Sequence, residues 1–161
     1  MPLKAATEQD ASFLFKLFEA QKTAELELYH VDIHFKNSII SMQWNSKNQS
    51  YLHSFPNLQT FVILHEEQAV GSCMIDYTPQ EIHIIDILIS STFRNLNIGT
   101  LLFKQLQLEA QQQKIPLRLQ VAVDNPAKRL YDRLGFNIYQ SDPVYLSMEW
   151  IPSSFQSTIS H

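Results

Sequence analysis

Cysteine and glycine are scarce in this sequence, and each shortage excludes a class of protein. Cys73 is the only cysteine in 161 residues, so neither a disulfide framework nor a cysteine-rich metal site can form within the chain. The three glycines, at positions 71, 99 and 135, are too far apart for the Gly-x-Gly-x-x-Gly fingerprint of dinucleotide-binding folds, and none is followed by the Lys-Ser/Thr of a phosphate loop. We therefore expect no metal cofactor, a reducing cytoplasmic location, and a packed rather than reactive Cys73.

Long apolar runs and an excess of positive charge are missing as well. No apolar run is long enough to cross a bilayer, and the N-terminus MPLKAATEQD lacks the apolar core of a signal peptide. A net charge of −4 provides no broad basic surface for nucleic acid. We expect neither a membrane nor a nucleic acid as a partner, whereas a homodimer is left open.

What the sequence does contain is a succession of strand and helix patterns. Strands are expected at residues 3–6, 60–65, 69–77, 81–89, 117–123, 136–139 and 144–150. Helical patterns begin near Thr7, Phe35, Ile98 and Asn125. The second of these helices is expected to end near Phe55, because Pro56 follows it, and the last one at Gly135.

This order, β-α-α-β-β-β-α-β-α-β-β, predicts an α/β (α+β) fold. The sheet is expected to be mixed and mostly antiparallel, with about seven strands flanked by helices. The strand–helix–strand unit at residues 81–123 requires a crossover and therefore parallel strands. The length fits one domain, residues 1–151, followed by a polar C-terminal tail, residues 152–161, that we expect to be flexible.

The segment from Arg94 to Thr100 joins an apolar strand to an amphipathic helix. Such a turn points several free backbone N–H groups at one place, where the helix dipole adds partial positive charge. Asn95 and Asn97 tolerate the left-handed backbone that the turn needs. The segment therefore predicts a phosphate site, although an ordinary strand-to-helix turn has the same outline. The apolar stripe of the helix is expected to comprise Ile98, Leu101, Leu102, Leu106 and Leu108.

A second segment, residues 125–136, has the pattern of a short capped helix. Asn125 suits the cap, Pro126 the first turn and Gly135 the end of the helix. Capping and packing explain these residues and the leucines between them. They provide no specific reason for Tyr131 in the middle of the helix, although packing alone is an alternative explanation.

Together the two segments resemble the GCN5-related N-acetyltransferase (GNAT) superfamily. Its acetyl-CoA loop reads Arg/Gln-x-x-Gly-x-Gly/Ala at a strand–helix junction, and Arg94–Gly99 has this form with Asn97 in place of the first glycine. Its next segment commonly reads Asn-x-x-Ala-x-x-Leu-Tyr-x-x-x-Gly-Phe. The chain matches that pattern at Leu130, Tyr131, Gly135 and Phe136, with Asn125 and Ala127 ahead of them. The order of elements is also similar, so the resemblance covers nearly the whole chain.

The resemblance implies that acetyl-CoA is bound as co-substrate between two splayed parallel strands. The strand before the loop would pair with the pantetheine arm, and one of its N–H groups would polarise the thioester carbonyl. The loop N–H groups would hold the pyrophosphate, and the start of the second helix would contact the cofactor. The residues expected to bind acetyl-CoA are Leu88, Ile89, Ser90, Arg94, Leu96, Asn97, Ile98, Gly99, Thr100, Asn125 and Lys128.

The resemblance also implies two catalytic residues, Tyr131 and His83. Tyr131 would be the general acid that protonates the departing sulfur, because a phenol with an ordinary pKa near about 10 keeps its proton at neutral pH. His83 is favoured as the base by its distance before the loop, with Glu81 and Asp86 as the other candidates. Simple alternation places Glu81 and His83 on one strand face and Asp86 on the other, unless a bulge intervenes.

The activity implied is transfer of an acetyl group from acetyl-CoA to a primary amine of a small molecule or protein by direct attack. Such an enzyme is an acyltransferase, and the first two helices and the hairpin loops would select the acceptor. The altered loop at Asn97 supports an alternative of a different class. In this alternative the chain is a non-catalytic CoA-binding or partner-binding module with the same fold.

Overall fold

The computed structural model describes residues 3–27, 29–94 and 96–153, and within these ranges it confirms the predicted order of elements. The strands are β1 (Leu3–Ala5), β2 (Leu58–His65), β3 (Gln68–Tyr77), β4 (Ile82–Ile89), β5 (Leu117–Ala122), β6 (Asn137–Ser141) and β7 (Tyr145–Trp150). The helices are α1 (Ala11–Glu27), α2 (Ile33–Ser54), α3 (Ile98–Gln113) and α4 (Lys128–Arg133). Short 3-10 turns, Glu8–Asp10 and Ser91–Phe93, precede α1 and follow β4.

The strands form one sheet in the order β1-β2-β3-β4-β5-β7-β6. Neighbouring strands are antiparallel except β4 and β5, which are parallel. Helix α3 connects this parallel pair, as the predicted strand–helix–strand unit requires. The prediction of a mixed, mostly antiparallel sheet flanked by helices is therefore confirmed.

The central strands β4 and β5 are paired over only part of their length. Residues Ile82–Ile84 of β4 pair with Leu117–Leu119 of β5. Strand β4 then continues to Ile89 and β5 to Ala122, while β4 stays paired with β3 on its other side. Among the described residues, no strand therefore pairs with the β5-facing edge of β4 beyond Ile84, so its backbone groups there are left to another partner.

A β-bulge interrupts the regular alternation of side chains along β4. Asp86 is paired with Met74 of β3, but the next pair in the register joins Ile84 to Ile75. Ile85 is therefore the extra residue of the bulge. Each side chain after it lies on the face opposite to the one that simple alternation predicts.

Because of this bulge, His83 and Asp86 both face helix α2. The His83 ring packs edge-on against Phe55, with 5.8 Å between ring centroids. The Asp86 Oδ2 atom lies 2.7 Å from Nζ of Lys47 in α2, and Phe55 directly follows the last residue of that helix. The expectation from simple alternation, with Asp86 on the opposite face from His83, is therefore wrong.

The main core lies between the sheet and the pair of helices α3 and α4. Cys73 of β3 is buried in this core, and burial raises the pKa of its thiol, so it packs as a small apolar residue. The apolar stripe expected to face the core on α3 is wrong at two positions, because the side chains of Leu101 and Leu108 are 58% and 65% exposed. The buried residues of α3 are Ile98, Leu102, Phe103, Leu106 and Ala110.

Helices α1 and α2 cover the other face of the sheet, which we call the α1–α2 face. The Trp44 ring of α2 packs against Phe18 of α1 at 5.3 Å between centroids. Asp32 caps α2 by accepting N–H groups of its first turn, and the helix ends at Ser54, just before Pro56. None of the helices in the described residues is long and apolar enough to span a membrane.

The packed part of the chain extends past Trp150. Pro152 is buried, and the Ser153 backbone N–H donates to Oε1 of Gln111 in α3 at 3.0 Å. The first two residues of the predicted tail therefore contact the domain. The rest of that tail, residues 154–161, and Asn95 of the loop lie outside the described residues.

Candidate active site

The chain turns back where β4 ends. The Ser90 N–H donates to the carbonyl oxygen of Val70 at 2.8 Å, which holds the end of β4 against β3. After the 3-10 turn, Nε of Arg94 donates to the carbonyl oxygen of Ile89 at 3.3 Å. Arg94 therefore folds back over the end of β4, and its guanidinium has further N–H donors besides Nε.

Helix α3 begins at a residue with left-handed backbone. Asn97 has φ 60° and ψ 20°, which confirms the prediction that it can adopt this geometry in place of glycine. Its carbonyl oxygen accepts the Leu101 N–H at 3.0 Å, the first bond of the helix. Its side chain does not cap the helix. The first N–H groups of α3 therefore have no intrahelical acceptor and no cap from Asn97.

Gly99 lies where the two family-like segments meet. A Cβ built on Gly99 would be 3.8 Å from Cδ2 of Leu130 in α4 and 3.9 Å from Cδ1 of Ile89 in β4. The first turn of α3 is thus packed between the end of β4 and α4. The loop predicted to hold pyrophosphate and the helix that carries Tyr131 are neighbours in the fold.

A cavity of about 480 Å³ adjoins the end of β4. It brings together four residues predicted to bind the cofactor, namely Leu88, Ile89, Ser90 and Arg94. Leu17 and other residues of α1 form the opposite wall. The next predicted residues, Leu96 to Thr100, do not line this cavity and instead form the turn into α3.

Asn125 and Lys128 lie apart from the cavity, at the start of α4. Asn125 is exposed, and its Oδ1 accepts the Ala127 N–H at 2.9 Å, so it shapes the turn into the helix. Lys128 Nζ pairs with Asp132 at 2.8 Å, one turn along α4. Both residues therefore have a bonding partner in or beside α4. A contact between either of them and the cofactor would have to be made at the start of that helix.

Tyr131 is half-buried in the main core. Its ring contacts Phe103 edge-on at 5.2 Å and Phe136 at 5.9 Å between centroids. Burial is the largest cause that raises the pKa of its phenol above the ordinary value of 10.0. The hydroxyl therefore keeps its proton at neutral pH and can act as a donor.

His83 lies near the start of β4, several residues before the cavity. Burial lowers the pKa of its imidazole below 6.5, and nearby Arg118 lowers it further, while Glu81 and Asp76 act in the opposite direction. Its Nδ1 atom is 3.8 Å from Oε1 of Glu81. The imidazole is therefore neutral at neutral pH and can accept a proton.

The other two candidate bases are each paired with a cation. Arg118 of β5 donates to Glu81 at 2.8 Å and to Glu149 at 2.9 Å. Asp86 pairs with Lys47 at 2.7 Å. Both carboxylates are therefore already engaged by a cationic side chain.

The region that holds these residues matches one protein family. A family model described as acetyltransferase (GNAT) family matches residues 14–136. The chain belongs to the GNAT acetyltransferase family. The resemblance seen in the two segments and the acyltransferase class expected from it are thereby confirmed. No curated protein matches the chain.

Solved structures of acetyltransferases share this fold. PaiA N-acetyltransferase from Thermoplasma acidophilum, in complex with coenzyme A, is 13% identical, with a TM-score of 0.68 over 92% of this chain and 97% of that one. An acetyltransferase from Thermus thermophilus is 16% identical, with a TM-score of 0.65 over 94% and 97%. PseH from Campylobacter jejuni, in complex with acetyl coenzyme A, is 16% identical, with a TM-score of 0.58 over 92% and 98%. At such identities the likeness shows the fold.

Two charged residues of this GNAT acetyltransferase were missed in the sequence. Arg118 alternates with buried residues along β5, and nothing in its pattern indicates two acidic partners. Lys47 follows Trp44 by three positions and precedes Tyr51 by four, so all three lie on one side of α2. That spacing was the available signal that Lys47 faces the sheet rather than solvent.

Proposed function

We propose that this enzyme transfers an acetyl group from acetyl-CoA to a primary amine of a small molecule or protein, by direct attack of the amine on the thioester. The observation that carries the proposal is the open edge of β4 beyond Ile84, directly before the turn that starts α3 at Asn97. An open strand edge beside a helix N-terminus suits a ligand with a peptide-like arm and a diphosphate.

The proposed binding site runs from the end of β4 to the start of α4. Backbone groups from Leu88 to Ser90 pair with the pantetheine arm, and the N–H groups from Leu96 to Thr100 hold the pyrophosphate. Arg94 adds positive charge beside them. Asn125 and Lys128 contact the cofactor from the start of α4.

In the proposed reaction, His83 and Tyr131 each move one proton. The His83 imidazole takes, directly or through water, the proton that the acceptor ammonium must lose before its nitrogen can attack. As the C–N bond forms and the C–S bond breaks, the Tyr131 hydroxyl donates its proton to the departing sulfur and recovers one, through water, from the new amide nitrogen. A backbone N–H near Leu88 stabilises the oxyanion. His83 is the base of choice because Glu81 and Asp86 are paired with cations.

Calorimetry with acetyl-CoA tests the binding half of the proposal. The wild-type chain and Asn97→Gly are expected to bind with similar affinity, because glycine readily adopts the φ of 60° that Asn97 has. Asn97→Val should bind about tenfold more weakly, since a β-branched residue at this left-handed position costs about 1–2 kcal/mol and favours another loop conformation. Absence of binding to the wild type at millimolar ligand would contradict the proposal. Binding without thiol release from any amine would favour a non-catalytic CoA-binding module.

The pH dependence of kcat is expected to reflect His83. Burial lowers the pKa of the His83 imidazole below 6.5. We therefore expect kcat to stay level from neutral pH down to about pH 6.5 and to fall only in more acidic solution. His83→Gln should remove this acidic limb and lower kcat about 100-fold or more. His65→Gln, at the end of β2, serves as the control and should leave the profile unchanged. An acidic limb that persists in His83→Gln would assign the base to another group.

A further inference from the structure

Lys47 places an ammonium group in the interior of the α1–α2 face. Its side chain is only 20% exposed, and its Nζ lies 2.7 Å from Oδ2 of Asp86. The same Nζ lies 5.0 Å from the ring centroid of Phe18 and 5.9 Å from those of Trp44 and Tyr51. A carboxylate with three aromatic rings is a site suited to a primary ammonium.

This ammonium lies beside the segment of β4 that we propose to hold the thioester. Asp86 follows the bulge and lies two residues before Leu88, on the same face of the strand. Leu88 lines two cavities, one of about 210 Å³ that Lys47 also lines and one of about 480 Å³ that reaches Ser90 and Arg94. Lys47 and the proposed acetyl position near Leu88 therefore border the same cavity.

The Lys47–Asp86 ion pair by itself contributes little net stability. Both side chains remain partly exposed, at 20% and 30%, and solvent screens the attraction between such charges. The position of Lys47 beside the proposed thioester segment supplies a chemical reason instead. A primary amine is the acceptor that the proposed reaction uses.

We propose that the enzyme acetylates its own Lys47. This inference rests on the proposed function, since acetyl-CoA supplies the acetyl group. The Lys47 ammonium, which Asp86 holds in place, releases one proton to solvent, and the freed lone pair of Nζ attacks the thioester carbonyl. The C–N bond forms, the C–S bond breaks, and Tyr131 protonates the departing thiolate and then regains a proton, through water, from the new amide nitrogen. The products are Nζ-acetylated Lys47 and free coenzyme A.

Mass spectrometry of the whole chain incubated with acetyl-CoA tests this step. We expect the mass of one acetyl group to be gained, and peptide mapping to place it on Lys47. The rate should be independent of protein concentration, because the acceptor belongs to the same chain. Tyr131→Phe should slow the modification by the same factor as it slows the acetylation of an added amine.

Lys22 and Lys47→Arg provide the matched controls. The Lys22 ammonium lies 5.5 Å from the same Phe18 ring and pairs with Glu25, but both Lys22 and Glu25 belong to α1. Lys47 should be acetylated at least about 100-fold faster than Lys22, because only Lys47 is positioned beside the thioester. Lys47→Arg keeps the positive charge and should gain no acetyl group.

Three results would overturn the inference, and each differs from failure of the proposed function. Lys47 could stay unmodified while calorimetry shows acetyl-CoA binding and an added amine is acetylated; self-acetylation then fails alone. Equal rates at Lys47 and Lys22 would indicate uncatalysed chemistry in solution. A rate that rises with protein concentration would exclude the intramolecular step. If calorimetry detects no binding of acetyl-CoA, the proposed function fails as well.

Discussion

Replacement of Tyr131 by phenylalanine is expected to lower kcat by about 100- to 10,000-fold, the range attributed to loss of one general acid. The substitution removes only the hydroxyl, and the ring keeps its contacts with Phe103 and Phe136. Burial raises the pKa of the Tyr131 phenol, so the proton that the departing sulfur needs is present throughout the neutral range. The affinity for acetyl-CoA should change little, because the proposed acid acts during bond cleavage.

Tyr77→Phe is the matched control for this prediction. Tyr77 is also a half-buried tyrosine whose phenol pKa is raised by burial, but its hydroxyl donates to Glu109 at 3.4 Å. Its loss should leave kcat nearly unchanged. Steady-state kinetics with one amine acceptor, together with calorimetry for acetyl-CoA, would separate the two variants. A wild-type kcat in Tyr131→Phe, or an equal loss in Tyr77→Phe, would contradict the assignment of Tyr131 as acid.

The local elements of the fold were predictable because their signals are short-range. The glycine expected to end α4, Gly135, has φ 91°, a conformation that other residues rarely adopt. The strands expected at residues 60–65 and 69–77 form a hairpin, and Glu66 and Glu67 form its turn with φ of 51° and 67°. The same short-range reasoning placed Asn97 in a left-handed conformation. Each of these depends on a few neighbouring residues.

The face of Asp86 was not predictable, because a bulge has no clear signature in this strand. The sequence IHIIDILI contains apolar residues on both faces, so the alternation does not indicate which isoleucine is extra. The extra residue, Ile85, is defined only by the register with β3. This one-residue shift brings Asp86 to the same face as His83, and it therefore determines which groups surround the candidate active site.

The charge pairs of the candidate site depend on tertiary structure. Lys47 and Asp86 belong to elements far apart in the chain, and only the packing of α2 on the sheet brings them together. Arg118 bridges Glu81 and Glu149 because β5 lies between β4 and β7. The sequence alone does not give the strand order, so it does not show which charged residues pair. The pairing of Glu81 and Asp86 with cations, which supports His83 as the base, is therefore visible only in the structure.

Gly71→Ala is expected to disturb both the stability of the fold and the proposed thioester segment. Gly71 is buried in β3 and paired with Ile89 at the end of β4. A Cβ at this position would collide with the carbonyl oxygen of Leu88 and would lie 3.1 Å from Cα of Ile89. These are backbone atoms that cannot rotate away, so β4 itself must shift. Overpacking of this kind typically costs about 1–3 kcal/mol of the free energy of unfolding.

Gly99→Ala makes the same chemical change at a position where space is available. Its Cβ would meet only side-chain atoms at 3.8 Å or beyond, and alanine is the better helix former by about 1 kcal/mol. Urea unfolding should therefore show Gly99→Ala at least as stable as the wild type and Gly71→Ala clearly less so.

The Gly71→Ala substitution should also weaken the binding of acetyl-CoA, because it shifts β4 at Leu88 and Ile89. Calorimetry at a temperature below the unfolding transition would measure this affinity. Equal stability of the two variants would show that β4 does not approach β3 as closely as the structure indicates. If Gly71→Ala loses the expected stability but binds acetyl-CoA as tightly as the wild type, the end of β4 is not part of the cofactor site.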